Sequence, residues 1–192
     1  MKRKKLFIIS SFIILCLLSY LSYIACSKYN FMKNSLNYTL AINYGDMESN
    51  IRDSKKIVEK ILLDGRYDKS QLLLFKEYDF NAMGKLGMFA NIINSYSKNR
   101  VNNGELTFKY TINGYGNNFL NSNISGNETM VLAEEDRAYL RGKVIIYDTI
   151  LNSQKEFKTD VNNAFVKDDN WLKWYKGIVD KIVALNLTDI TK

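Results

Sequence analysis

The chain has 192 residues, enough for one domain and an anchor but not for two full domains. Of its 27 Lys+Arg, six (Lys2, Arg3, Lys4, Lys5, Lys28, Lys33) fall in the first 33 residues, which hold no acid; 27 less six leaves 21 basic against 20 acidic residues beyond them, so the basic excess belongs to the N-terminus and argues against nucleic acid as a partner. Histidine is absent, and the two cysteines, Cys16 and Cys26, lie in or beside an apolar run, which removes Ser–His and Cys–His nucleophiles, imidazole zinc sites and any disulfide within the remainder.

Residues 1–5 form a basic tip, and residues 6–25 follow without a charge. Twenty helical residues reach about 30 Å, the hydrocarbon thickness of a bilayer. Twelve of them are Leu, Ile or Phe. These outweigh the four serines on an insertion scale, so the run is expected to be a transmembrane helix. Four basic residues before it, against Lys28 and Lys33 after it, place the N-terminus in the cytoplasm and residues 28–192 on the extracytoplasmic side. Tyr20, Tyr23 and Tyr29 suit the outer interface.

A retained signal anchor accounts for the length and the flanking charges. Tyr23-Ile24-Ala25-Cys26, with Ser27 next, resembles a bacterial lipobox, with Tyr23 where an aliphatic residue is usual. That resemblance implies cleavage before Cys26 and its lipidation. A cleaved secretory signal is the third reading. All three leave the rest of the chain on the same side.

Beyond the span the leading signal is a 3–4 spacing of apolar residues. Leu40, Tyr44, Met47, Ile51, Ser54, Val58 and Ile61 follow it, with only Ser54 off type, and Asp64-Gly65 ends that helix. Asp68 with Gln71 predicts a capping box opening the next helix. Its face is Leu72, Phe75, Asp79, Ala82, Leu86, Phe89, Ile93 and Tyr96, with Asp79 the exception. A three-residue turn between the two predicts an antiparallel pair. Gly84 and Gly87, inside this helix, mark either a close helix approach or a kink.

The stretch 105–115 reads differently. Leu106, Phe108, Tyr110 and Ile112 alternate with polar residues and run into Asn113-Gly114, as in a strand entering a hairpin, with Val144–Tyr147 its best partner. Ser125-Gly126-Asn127-Glu128 then predicts a second capping box, opening a helix with Met130, Ala133, Arg137, Leu140, Val144, Tyr147 and Leu151 on one face. A short turn of helix is expected around Val161–Val166. The final helix, capped by Asp169 or Asn170, presents Trp171, Tyr175, Ile178, Ile182 and Leu185.

The expected fold is therefore mainly all-α: a transmembrane helix, then an antiparallel bundle of about four helices, the first continuous with the span, plus a short β segment. An oligomeric coiled coil is the rival, which the short turns disfavour.

No catalytic, cofactor or metal site is expected. Asp168-Asp169 and Glu134-Glu135-Asp136 read as charges complementing helix dipoles or facing solvent. Asp64–Asp68 lacks the alternating ligands of a calcium loop, and Gly114-Tyr115-Gly116-Asn117-Asn118-Phe119 lacks the last glycine of a dinucleotide fingerprint. Trp171, Trp174, Tyr175 and Phe165, rimmed by Lys173, Lys176 and Lys181, form either the cap of a core or a seat for a partner protein or a wall polymer; Trp174 lies off the main stripe. The layout is similar to that of small Gram-positive envelope proteins. The expected role is an interaction or scaffold protein of the cell envelope. Alternatives are a ligand-sensing module acting through a partner and a carboxylate-only glycan-cleaving enzyme.

Overall fold

A computed structural model describes residues 2–96, 128–156 and 170–185. These residues are mostly helical: α1 (Lys2–Asp64), α2 (Lys69–Tyr96), α3 (Glu134–Glu156) and α4 (Asn170–Ala184), with two short strands, β1 (Arg66–Asp68) and β2 (Thr129–Val131). The chain divides into two compact units, Met1–Leu40 and Ala41–Lys192.

In the first unit the apolar run is helical, as its composition demands. The large apolar side chains from Ile9 to Leu21 are exposed, and an 18-residue apolar window within α1 has no part buried. Among the described residues α1 is the one helix long and apolar enough to cross a membrane. Cys16 and Cys26 are both exposed thiols on it.

The second unit is held by the stripes read from the sequence. On α1, Tyr44, Met47, Ile51, Ser54, Val58 and Ile61 are all buried, as is Leu40 in the first unit. Each aliphatic side chain so buried stabilises the fold by about 1.5–3 kcal/mol. Gly65 ends the helix at φ 65°, the left-handed region open to glycine, and its N–H donates to the Ile61 carbonyl at 3.0 Å. Arg137 Nη1 caps a second carbonyl of that last turn, Leu62 O at 3.1 Å. Asp68 and Gln71 form the expected reciprocal box: Gln71 N–H donates to Asp68 Oδ1 at 2.8 Å, and Asp68 N–H donates to Gln71 Oε1 at 3.0 Å. On α2, Leu72, Phe75, Asp79, Ala82, Leu86 and Phe89 are buried in one face, with Ala90 beside them.

Two expectations are corrected between α1 and α3. Residues 66–68 are not a free turn but a strand, antiparallel to β2 in the register Arg66↔Val131, Tyr67↔Met130, Asp68↔Thr129. The helix expected from the Ser125–Glu128 box accordingly begins only at Glu134. Residues 129–131 are paired with β1, and Leu132 N–H donates to Gly65 O at 2.9 Å, so the backbone there is not available for a helical turn. Val144–Tyr147, offered as a strand, is inside α3. The alternating segment near 105–115 and the turn around Val161–Val166 lie outside the described residues.

The ties between helices fix their directions. Lys85 Nζ on α2 meets Asn43 Oδ1 (2.7 Å) and Asp46 Oδ2 (3.1 Å) on α1, so those helices are antiparallel. On α3, Arg137 reaches Leu62 O while Lys55 Nζ meets Asp148 Oδ1 at 2.6 Å, so α3 also runs against α1. Hence α2 and α3 share a direction, and the bundle departs from simple up-and-down alternation. The buried face of α3 is also turned from the expected one: Tyr139, Lys143, Ile146 and Ile150 are buried with Leu140, Tyr147 and Leu151, whereas Arg137 and Val144 are only half-buried. The α4 helix starts at Asn170 and buries Trp171, Trp174, Tyr175, Ile178, Val179 and Ile182.

Candidate functional site

Two clusters gather the chemically distinctive side chains. The first is aromatic and was legible in part. Trp174, which its spacing sets off the main stripe, is fully buried, and Trp171 and Tyr175 are buried beside it. Tyr44 and Phe89 meet the Trp174 ring edge-on, with centroids at 5.2 and 5.5 Å, and Phe89 stacks on Tyr175 at 6.3 Å. Such pairs add about 0.5–1.5 kcal/mol each beyond the area they cover. The Tyr175 hydroxyl donates to Leu86 O at 3.2 Å, tying α4 to α2. Burial pushes the Tyr175 hydroxyl far above the ordinary tyrosine range; burial, with nearby Glu48, does the same to Tyr44. Trp171, Trp174 and Tyr175 are thus part of the core, and the exposed residues of α4 include Lys173, Lys176, Asp180 and Lys181.

The second cluster was missed. Lys143 is 1 % exposed and Asp79 7 %. Lys143 Nζ lies 3.0 Å from Asp79 Oδ1 and 2.8 Å from Oδ2, and the Tyr147 hydroxyl donates to Oδ1 at 2.6 Å. The Tyr139 and Tyr147 rings flank the ammonium, with centroids 6.0 and 5.8 Å away. Burial draws Lys143 below the usual lysine range, while the Asp79 carboxylate works in the opposite direction. Burial, then the Asp79 charge, raises the Tyr139 hydroxyl well above its ordinary value.

Signals for this cluster were in the sequence. Asp79 was the one charge on the α2 stripe, and Lys143 stands between tyrosines four residues away on either side. Chemically, an ammonium and a carboxylate closed off from solvent hold each other.

The other candidates are absorbed locally. Glu134, Glu135 and Asp136 occupy the first turn of α3, where negative charge complements the dipole. Burial, then Glu135, raises the Asp136 carboxyl. Asp68 is held below the usual carboxylate range by the Ser70 hydroxyl and then by the Gln71 N–H. Among the described residues no group of three or more His, Cys, Asp or Glu is placed to hold a metal ion. Asp168-Asp169 and Gly114–Phe119 lie outside the described residues. The chain matches no protein-family model, no curated protein and no solved structure.

Proposed function

We propose that this chain is a membrane-anchored interaction or scaffold protein of the bacterial cell envelope, its helical unit displayed on the extracytoplasmic side to dock another protein. The observation that carries the reading is the uncovered apolar stretch of α1 behind a basic tip, on a chain whose other helices bury their apolar stripes. The charge asymmetry supports the sidedness. The complete lack of histidine, and the burial of the ionic cluster found among the described residues, support a role by contact and not by catalysis.

The test is done in a Gram-positive host expressing the full chain with a C-terminal tag. The protein should stay in the membrane pellet through alkaline carbonate washing, and the tag should be cleaved by protease added to intact protoplasts. In-cell cross-linking followed by tag purification should recover a specific envelope protein. A protected tag overturns the sidedness, a soluble protein overturns the anchor, and cross-linking that returns only background overturns the docking role. Intact mass of the extracted protein separates a retained anchor from cleavage and lipidation at Cys26.

A further inference from the structure

The Asp79–Lys143–Tyr147 cluster goes beyond this reading because nothing in a docking role requires it. The parallel helices α2 and α3 present apolar stripes that repeat every turn. The α2 stripe runs Leu72, Phe75, Asp79, Ala82, Leu86, and the α3 stripe runs Tyr139, Lys143, Ile146, Ile150. A slip of one turn, about 5.4 Å, would lay apolar positions on apolar positions with little loss of buried area. It would also set Lys143 against the level of Phe75 or Ala82 and leave both charges buried without each other. The β1–β2 pairing and the Arg137–Leu62 O and Lys55–Asp148 contacts also resist the slip, but Asp79 and Lys143 are the only charged residues buried among those described, so they are the pair it would strand in the interior.

We infer that Asp79, Lys143 and Tyr147 act as a register lock that selects one alignment of α3 on α2. Three features of the geometry serve that role. The ammonium is within hydrogen-bond distance of both carboxylate oxygens. The Tyr147 hydroxyl occupies Oδ1 from the next turn of α3, so the carboxylate reads two levels of that helix at once. The flanking Tyr139 and Tyr147 rings limit the ammonium to the one place where a carboxylate is waiting. Apolar replacements of similar volume for a buried ion pair are often neutral or stabilising, so stability alone does not account for the cluster.

The test uses the full chain in detergent and compares it with the single variants D79N and K143M and the triple variant D79L/K143M/Y147F. Thermal melting is followed by circular dichroism, and protection of α2 and α3 by hydrogen exchange with mass spectrometry. Each single variant should melt many degrees lower, because it strands the other partner. The triple variant should melt at or above the parent, over a broader transition, with α2 and α3 peptides showing two or more exchanging populations. A triple variant with parental cooperativity and one protected population overturns the inference. So does a triple variant that fails to fold, which would make the cluster a net source of stability. Singles that melt like the parent would also overturn it.

Discussion

Lys143 Nζ lies 2.8 Å from Asp79 Oδ2 in the interior of the second unit, joining a charge on α3 to its counter-charge on α2. Because both are buried, the pair is strongly asymmetric: losing one member is far worse than losing both. Asp79→Asn is expected to lower the unfolding free energy by about 3–5 kcal/mol. The pH dependence follows from the direction of the Lys143 shift. A lysine depressed by burial penalises the fold fully below its folded pKa, and stability climbs as pH rises from there towards the unfolded value of about 10.4. Asp79 opposes the depression, so removing it extends the climb to lower pH. Urea titrations between about pH 6 and 10 should show the variant gaining stability over a wider range than the parent. A variant with flat stability across that range contradicts the buried ion pair.

Gly45, Gly65, Gly84 and Gly87 separate into two kinds. At Gly45, Gly84 and Gly87 an added Cβ meets nothing within 4 Å. The close approach considered for Gly84 and Gly87 is therefore absent at those positions, and each is an open helical site. Gly84→Ala and Gly87→Ala should each raise stability, by up to about 1 kcal/mol. Gly65→Ala should do the reverse, losing about 1 kcal/mol or more, because the residue sits at φ 65° and its Cβ would touch Arg137 Nη2 at 3.4 Å. Melting temperatures of the three variants check the opposite signs.

Ser54 and Ser153 are buried, and neither hydroxyl oxygen meets a hydrogen-bond partner. A buried polar group left unmatched costs about 1–3 kcal/mol. Alanine removes the hydroxyl with little change in shape, so Ser54→Ala and Ser153→Ala are each expected to stabilise the fold by about 1 kcal/mol. Loss of stability in both would show that the hydroxyls are bonded.

The capping box at the start of α2 makes a separate forecast. The Ser70 hydroxyl and then the Gln71 N–H hold Asp68 below the usual carboxylate range, so its contribution is full above the unfolded pKa of about 3.9 and fades as pH falls through the folded value. Asp68→Ala should cost about 1 kcal/mol at neutral pH. The gap between variant and parent should narrow in acid. Parallel denaturant melts at neutral and low pH measure both.

Trp174 gives the largest expected loss. Its ring is fully buried against Tyr44 and Phe89, and Trp174→Ala should cost about 3–5 kcal/mol. A partner that fails to bind this variant would report unfolding. Charge reversals at exposed Lys173 and Lys176 probe the α4 surface without that confusion, and they should leave melting nearly unchanged.

Much of the architecture could be read directly from spacing. The α1 stripe came out complete, even to Ser54, because a helix with one buried face imposes a single period over many residues. The Asp68–Gln71 box was legible because its bonds are local. The strand β2 was not, since three residues carry no readable period and are ordered by a partner some sixty positions earlier in the chain. The phase of α3 was missed because Lys143 looks like a surface residue until Asp79 is placed opposite. Trp174 stands off the narrow stripe that spacing alone shows, because α4 is covered over a broad arc that includes both Trp171 and Trp174.

The apolar stretch and the face from Leu40 to Ile61 belong to one helix, so a cut made between them decides how the protein can be handled. A truncated chain beginning at Asn34 discards the greasy segment together with Tyr29, Phe31 and Met32, and starts on a residue suited to opening a helix. Every core position remains. Such a fragment should be recovered from lysate without detergent, whereas trimming past Tyr44 begins to strip the interior of the second unit itself.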